Sequence, residues 1–269
     1  MEERAAKSDD GVALPLLVAP GLDAFRHGFT TRAGGVSRAP FDSLNLGGKW
    51  GDRPDDVYEN YRRLLAVAGV RRMYRVSQVH GVRVVRVGRG DALDEMAATP
   101  ADGLCTDEPG LGVAVHVADC TPILLACPRT GAVAALHAGW RGTAAGMAKA
   151  GVATMVTHFG CHPHELRAAL GPCIGACCCE VGPEVVAAFV AADAQARDNG
   201  SVVSGPAKEH IDLRRVQALE LIAMGLAPDH IDASRDCTRC DPRGRFFSFR
   251  GAGGKTGQAV GFVVAGNPG

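Results

Sequence analysis

Residues 111–142 read LGVAVHVADCTPILLACPRTGAVAALHAGWRG, and three short apolar runs dominate the stretch: LGVAVHVA (111–118), PILLAC (122–127) and AVAALH (132–137). Each run has strand length, is almost continuously apolar and is bounded by turn residues, the pattern of strands buried on both faces. They are read as neighbouring strands of a buried sheet. The next segment, GWRGTAAGMAKAGVATMVTHFG (139–160), is rich in small and apolar residues and reads as a helix ending near Gly160, with Pro163 beyond it. His137 therefore falls at a strand-to-helix junction.

Working outward, DVYENYRRLLAVAG (56–69) carries apolar residues at helical spacing and closes on Gly69. YRVSQV (74–79) and VRVVRVG (82–88) suit extended structure on either side of a break at His80 and Gly81. Downstream, LRAALG (166–171) reads as a strand and PEVVAAFVAADAQA (183–196) as a helix with Pro183 in its first turn. DLRRVQALELIAMG (212–225) reads as a helix capped by Asp212 and closed by Gly225. FFSFR (246–250) and AVGFVVA (259–265) are expected to be terminal strands around the turn GAGGKTG (251–257). Together these elements predict a mixed α/β fold without repeats of fixed period. One catalytic domain over residues 1–269 is expected, with residues 1–20 a loosely ordered leading segment.

The chain has 269 residues, 46% of them hydrophobic, and a formal net charge of zero. A sizeable core can form, and there is no electrostatic footprint for nucleic acid or membrane, so small-molecule chemistry is the expected business. The start, MEERAAKSDD, lacks the apolar core of a secretory signal, which predicts a cytoplasmic protein. Ten cysteines in a chain of this size without an export signal are read as reduced thiols. Four of them crowd into GPCIGACCCEVG as Cys173, Cys177, Cys178 and Cys179, and most of these are taken as small buried apolar residues. The oligomeric state is left open.

Three segments stand out for chemistry: QVHG around His80, ADCTPILL around Cys120 and HAGWRG around His137. In each, a metal-donor side chain falls at the end of an apolar strand beside turn residues, where open-sheet proteins place their ligand crevice. Donors on separate rigid elements can converge on one ion. Asp119 is expected to alternate outward from Cys120 on a strand, and Arg141, at a helix start after His137, to help hold an anion. Two histidines and one cysteine would leave zinc a fourth position for water, whose pKa the metal would lower toward neutrality. About one zinc per chain is expected.

SLNLG, SQVHG, ADCTPILL, HAGWRG, GPCIG with CEVG, and FFSFR follow one another in the order seen in the YfiH family, also called laccase-domain or polyphenol oxidase proteins. The chain resembles that family from about His27 to Gly257. The resemblance implies a four-layer α/β/β/α sandwich with mixed sheets and a metal held by His80, Cys120 and His137. It also implies a purine nucleoside enzyme that phosphorolyses adenosine, inosine, guanosine and methylthioadenosine and hydrolytically deaminates adenosine. Some bacterial members are described instead as peptidoglycan editing factors. Arg32 in TTRAGG, Asn45 in SLNLG and Arg250 in FFSFR match family substrate-pocket positions, and phosphate is expected near Arg141. The chain departs from the family pattern at Cys179, where tyrosine is usual, at Gly251, which replaces a second arginine, and at Gln258, which replaces the arginine of a Gly-Arg pair.

Three other readings use residues already named. A copper-dependent polyphenol oxidase would need many more histidines than the nine present, although copper could bind His80, Cys120 and His137 adventitiously or as an alternative metal. A hydrolase of peptidoglycan precursors would use Cys120 as nucleophile and His137 as its base, without needing His80. A non-enzyme would use Cys237 and Cys240 of CTRC as a redox pair or as half of a structural zinc site, but a lone CxxC followed by the polar DPRGR turn reads as incidental thiols. His162 and His164 of CHPHEL are read as a solvated structural pair on a loop.

Overall fold

The computed structural model describes residues 1–8 and 11–266. Along the chain run β1 (Glu2–Lys7), β2 (Ala13–Val18), β3 (His27–Thr30), α1 (Pro54–Ala68), β4 (Met73–Tyr74), β5 (Val84–Arg86) and α2 (Leu93–Ala98). The middle contains β6 (Gly103–Thr106), β7 (Gly112–Val117), β8 (Thr121–Ala126), β9 (Val133–Ala138), α3 (Trp140–Ala144), α4 (Met147–Phe159) and β10 (Arg167–Leu170). Then come α5 (Pro183–Ala192), β11 (Val202–Val203), β12 (His210–Ile211), α6 (Leu213–Ala223), β13 (Ile231–Ala233) and β14 (Ala259–Val264).

Two six-stranded mixed sheets carry the structure, ordered β1-β2-β3-β14-β7-β4 and β13-β10-β8-β9-β6-β5. The apolar runs expected to be neighbours therefore divide: β8 and β9 pair antiparallel, while β7 lies in the other sheet between β14 and β4. A strand buried on both faces reads the same in either sheet, so its apolar pattern does not distinguish a lateral neighbour from one in the facing layer. Between the sheets lies one core to which Phe29, Val113, Val115 and Val263 contribute from the first sheet and Leu104, Leu124, Val133 and Ala169 from the second. The outer face of the second sheet packs Leu125, Leu136 and Leu170 against Met147, Val152 and Met155 of α4 and Leu221 of α6. On the outer face of the first, Leu16, Ala114 and Phe262 meet Leu64 and Ala68 of α1. The result is the expected α/β/β/α sandwich.

Helix ends follow local chemistry. Pro54 opens α1 two residues earlier than the periodicity suggests, Asp55 and Asp56 sit in its first turn, and Gly69 closes it at φ 63°. Asp212 caps α6 by accepting from the Arg215 N–H. The helix expected over 139–160 is two, because Gly146 at φ 85° breaks it between α3 and α4. Within the leading segment, β1 and β2 pair antiparallel, from Glu2 opposite Val18 to Lys7 opposite Ala13, and β1 is an edge strand whose charges disguise it. FFSFR is not a strand but a turn-rich segment, since Asp119 captures the Arg250 N–H and Ser248 Oγ captures the Gly251 N–H.

The useful consequence is where the chain changes sheets. It leaves β4 for β5 through residues 75–83, and β7 for β8 through residues 118–120. His80 lies on the first crossing and Cys120 on the second.

Candidate functional site

Both crossings are tightly bent. His80 and Asp119 are the two non-glycine residues with positive φ, 63° and 96°, among the described residues. Asp119 is thus on a turn rather than a strand, and its left-handed backbone is held by its own side chain: Oδ1 accepts from Thr238 Oγ1 at 2.6 Å and Oδ2 from the Arg250 N–H at 2.7 Å. That turn delivers Cys120 to the start of β8, where Pro122 stands opposite His137 across the β8–β9 ladder.

His80 is held by a carboxylate that sequence reading overlooked. Asp102, fully buried just before β6, accepts the N–H groups of Val79, His80 and Gly81 at 3.2, 2.8 and 2.7 Å. The same carboxylate accepts the His137 Nδ1 proton at 2.8 Å, and its backbone carbonyl accepts the His137 N–H. His137 is thereby fixed with Nδ1 protonated and Nε2 free to face the site, the arrangement found behind metal-bound histidines. Burial raises the Asp102 pKa, but hydrogen bonds from His137 and from the Gly81 and His80 amides bring it below the usual carboxylate range.

The donor atoms of His80, Cys120 and His137 all lie within 4.8 Å of one another, and the two imidazoles meet edge-on with centroids 4.9 Å apart. Burial pushes the Cys120 thiol up, but the His137 charge and hydrogen bonds from both imidazoles outweigh it and lower its pKa. Burial likewise pushes His137 down, and the Cys120 thiolate and Asp102 reverse this. The surroundings are packed to admit nothing larger. A Cβ on Gly139 would lie 2.9 Å from His80 Cδ2 and 3.0 Å from Cys120 Sγ, and one on Gly142 would lie 2.9 Å from the Gly81 carbonyl oxygen. The glycines of HAGWRG therefore let the chain pass directly behind the donors.

His80, Cys120 and His137 open on a cavity of about 970 Å³. Aromatic walls are supplied by Trp50, Tyr58, Tyr61, Trp140 and Phe249, and cations by Lys49, Arg75 and Arg250. His116 also lines it, lying 2.9 Å from the Leu46 carbonyl oxygen to which its Nε2 proton is donated and 2.5 Å from the Tyr61 hydroxyl. Burial pushes this imidazole down to about 4, so it is neutral.

The four positions expected to bind substrate do not all reach this space. Arg250 lines the cavity, with Nη1 donating to the Glu180 carbonyl. Asn45 is buried behind the lining, where it ties Gly47, Asp52 and the Gln258 N–H together and so shapes the 46–50 loop. Arg32 lies away from the lining, bonded to Asp42 through Nε and Nη2 and stacked 5.1 Å above Phe247. Arg141 turns onto the Trp140 ring at 4.2 Å instead of entering, and α3 is a single turn of five residues, too short to build an anion site at its start. Cys179 and Gln258, two of the departures from the family pattern, line the cavity. His162 and His164 stack on each other around the short Pro163–Glu165 turn, where the Glu165 carboxylate accepts the His162 N–H. Cys177 and Cys178 are exposed and half-buried rather than core residues, and they meet Cys237 and Cys240.

An α/β/β/α sandwich with two imidazoles and a thiol gathered where the chain crosses between its sheets defines a laccase-domain class of protein. The chain belongs to the YfiH family, and residues 26–266 match the family model described as multi-copper polyphenol oxidoreductase laccase. It is 37% identical over 243 residues to the Geobacillus stearothermophilus protein named purine nucleoside phosphorylase YlmD, covering 88% of each chain. It is 38% identical over 247 residues to the Deinococcus radiodurans purine nucleoside phosphorylase, covering 91% of this chain and 90% of the relative. The solved structure of Bacillus licheniformis hypothetical protein YfiH superposes with a TM-score of 0.86 at 31% identity, covering 95% of this chain and 97% of that one. Relatives named purine nucleoside phosphorylase and a laccase-like family model place this chain among enzymes. No helix among the described residues is long and apolar enough to cross a membrane.

Proposed function

We propose that the chain is a zinc-dependent purine nucleoside phosphorylase acting on adenosine, inosine, guanosine and methylthioadenosine, and that it also deaminates adenosine hydrolytically. The observation carrying this reading is the approach of His80, Cys120 and His137 to within 4.8 Å at the wall of a cavity large enough for a nucleoside and phosphate together. The donor set suits zinc: two imidazoles and a thiol already pulled toward its thiolate, with Asp102 orienting one imidazole. Zinc held there supplies Lewis acidity to the reacting group.

The chain's own residues do the rest. Trp50 and Phe249, with centroids 5.5 Å apart, provide aromatic faces for a purine, and Arg250 and Arg75 provide cations for phosphate. In phosphorolysis a phosphate oxygen bonds to the ribose anomeric carbon as the N-glycosidic bond breaks; its electron pair leaves with the base, which takes up a proton. In deamination water adds at the purine carbon bearing the amino group and ammonia leaves. Cys120 flanked by both imidazoles favours metal ligation over the peptidoglycan-hydrolase alternative, in which one histidine would suffice.

Chromatography of adenosine incubated with phosphate and zinc-loaded protein tests the reading: adenine and ribose phosphate are expected, with inosine as the side product. Neither product forming would sink it and make muramoyl peptides the next substrates. Metal analysis of protein made without added copper tests the ion, and copper as the tightly held metal would overturn the zinc assignment.

A further inference from the structure

Behind the cavity wall, four cysteines from two distant loops come together. Cys177 and Cys178 lie on the turn after Gly175, and Cys237 and Cys240 on the turn after Asp236; their four sulfurs all lie within 4.8 Å of one another. Zinc bound by four thiolates at about 2.3 Å would space their sulfurs roughly 3.8 Å apart, so this cluster is already gathered to the size of one tetrahedral ion. We propose that Cys177, Cys178, Cys237 and Cys240 form a second, structural zinc site that clasps the two loops together. The single CxxC of the sequence is thus half of a set whose other half is an adjacent pair sixty residues upstream.

Three features of the surroundings fit a bound metal. The Gly175 N–H donates to the Cys237 sulfur at 3.2 Å, a partner that helps orient a thiolate ligand. Gly175 lies tight against the cluster: an added Cβ would fall 3.2 Å from Cys177 Sγ and 3.3 Å from both Arg214 Nη2 and Cys237 Cβ. That same geometry places the Arg214 guanidinium at the cluster's edge, where it offsets the negative charge four thiolates leave on a zinc ion. Cys177 and Cys240 sulfurs are 3.5 Å apart, the spacing of two ligands sharing an ion.

The clasp has a purpose in the fold. The two loops touch through a bridge between Cys173 and Cys237, extended by the Thr238 N–H to the Cys173 carbonyl. Arg250 Nη1, donating to the Glu180 carbonyl, ties them further on, and one contributes Ile174, Cys179 and Val181 and the other Phe249 and Arg250 to the cavity. Thr238 also holds Asp119, the turn residue preceding Cys120. A metal at the four cysteines therefore fixes one side of the cavity without touching substrate.

Native protein loaded with zinc, desalted and assayed for metal tests the site. Two equivalents are expected in the wild type, one in Cys237→Ser/Cys240→Ser and one in Cys120→Ala/His137→Ala. Cobalt substitution provides a readout that does not need the serine variant to fold: intense thiolate-to-cobalt absorption is expected to survive in Cys120→Ala/His137→Ala. A single equivalent in the wild type that Cys120→Ala/His137→Ala abolishes would overturn the proposal. So would ferric-thiolate absorption in the protein as purified, or a disulfide among these four cysteines in its intact mass. None of these readouts depends on the nucleoside activity.

Discussion

Asp102 accepts the His137 Nδ1 proton at 2.8 Å while its two oxygens also gather the amides on either side of His80, so one buried carboxylate sets the position of two imidazoles. Asp102→Asn would keep the shape but turn an NH₂ group toward donors that need an acceptor. The expected result is metal affinity lower by roughly 10- to 100-fold, the usual loss for such partners of metal-bound histidine. Chelator competition measures it, and unchanged affinity would show that Asp102 is only a structural anchor for the 79–81 turn.

Gly139 is where the site is most sensitive to a single methyl group. Its added Cβ would press on His80 Cδ2 at 2.9 Å and Cys120 Sγ at 3.0 Å, and neither can yield without spreading the donors. Gly139→Ala is expected to fold, by circular dichroism, while retaining well under half of the wild-type metal at the histidine-cysteine site. Gly90→Ala, whose added Cβ meets nothing within 4 Å, is the control.

These two residues also mark how far a sequence can be read. His80, Cys120 and His137 were legible because donor side chains at the ends of apolar runs are conspicuous, and the runs themselves announce an α/β core. Asp102 was not, because its role rests on amides of residues 79–81, which arrive only when the chain crosses from one sheet to the other. The same limit hid the four-cysteine cluster: Cys177 and Cys178 gain meaning only from the turn that brings Cys237 beside them. Arg32 was placed in the pocket by its motif, yet Asp42 and Phe247 claim it, a competition between local partners that spacing does not reveal.

Glu220 predicts a pH-dependent weakness in the helical layer. It is 9% exposed, its Oε2 has no hydrogen-bond partner, and Lys149 Nζ approaches Oε1 only to 3.7 Å. Burial raises its pKa from 4.5 to about 7. Because the folded state holds this proton more tightly, folding carries no penalty from it below the ordinary carboxylate pKa, and the penalty grows as pH rises, to its full value above about 7. Glu220→Gln is therefore expected to be more stable than wild type at pH 8, by on the order of 2 kcal/mol, with the difference vanishing toward pH 4. Urea denaturation at the two pH values measures it; a gain that is equal at both would contradict the titration.

Arg250 and Arg32 give opposite expectations although both belong to the same family pattern. Arg250 lines the cavity, so Arg250→Ala should raise the KM for phosphate by roughly tenfold or more, the loss of one charge-assisted contact, and leave phosphate-free deamination of adenosine within about twofold. Arg32→Ala removes the Asp42 ion pair and the stacking on Phe247, so it should lower the melting temperature and leave the phosphate KM unchanged. Steady-state kinetics with phosphate varied, alongside thermal denaturation, separates the two. A phosphate KM that responds to Arg32 and not to Arg250 would move the anion site out of the cavity beside His137 and toward the Asp42 loop.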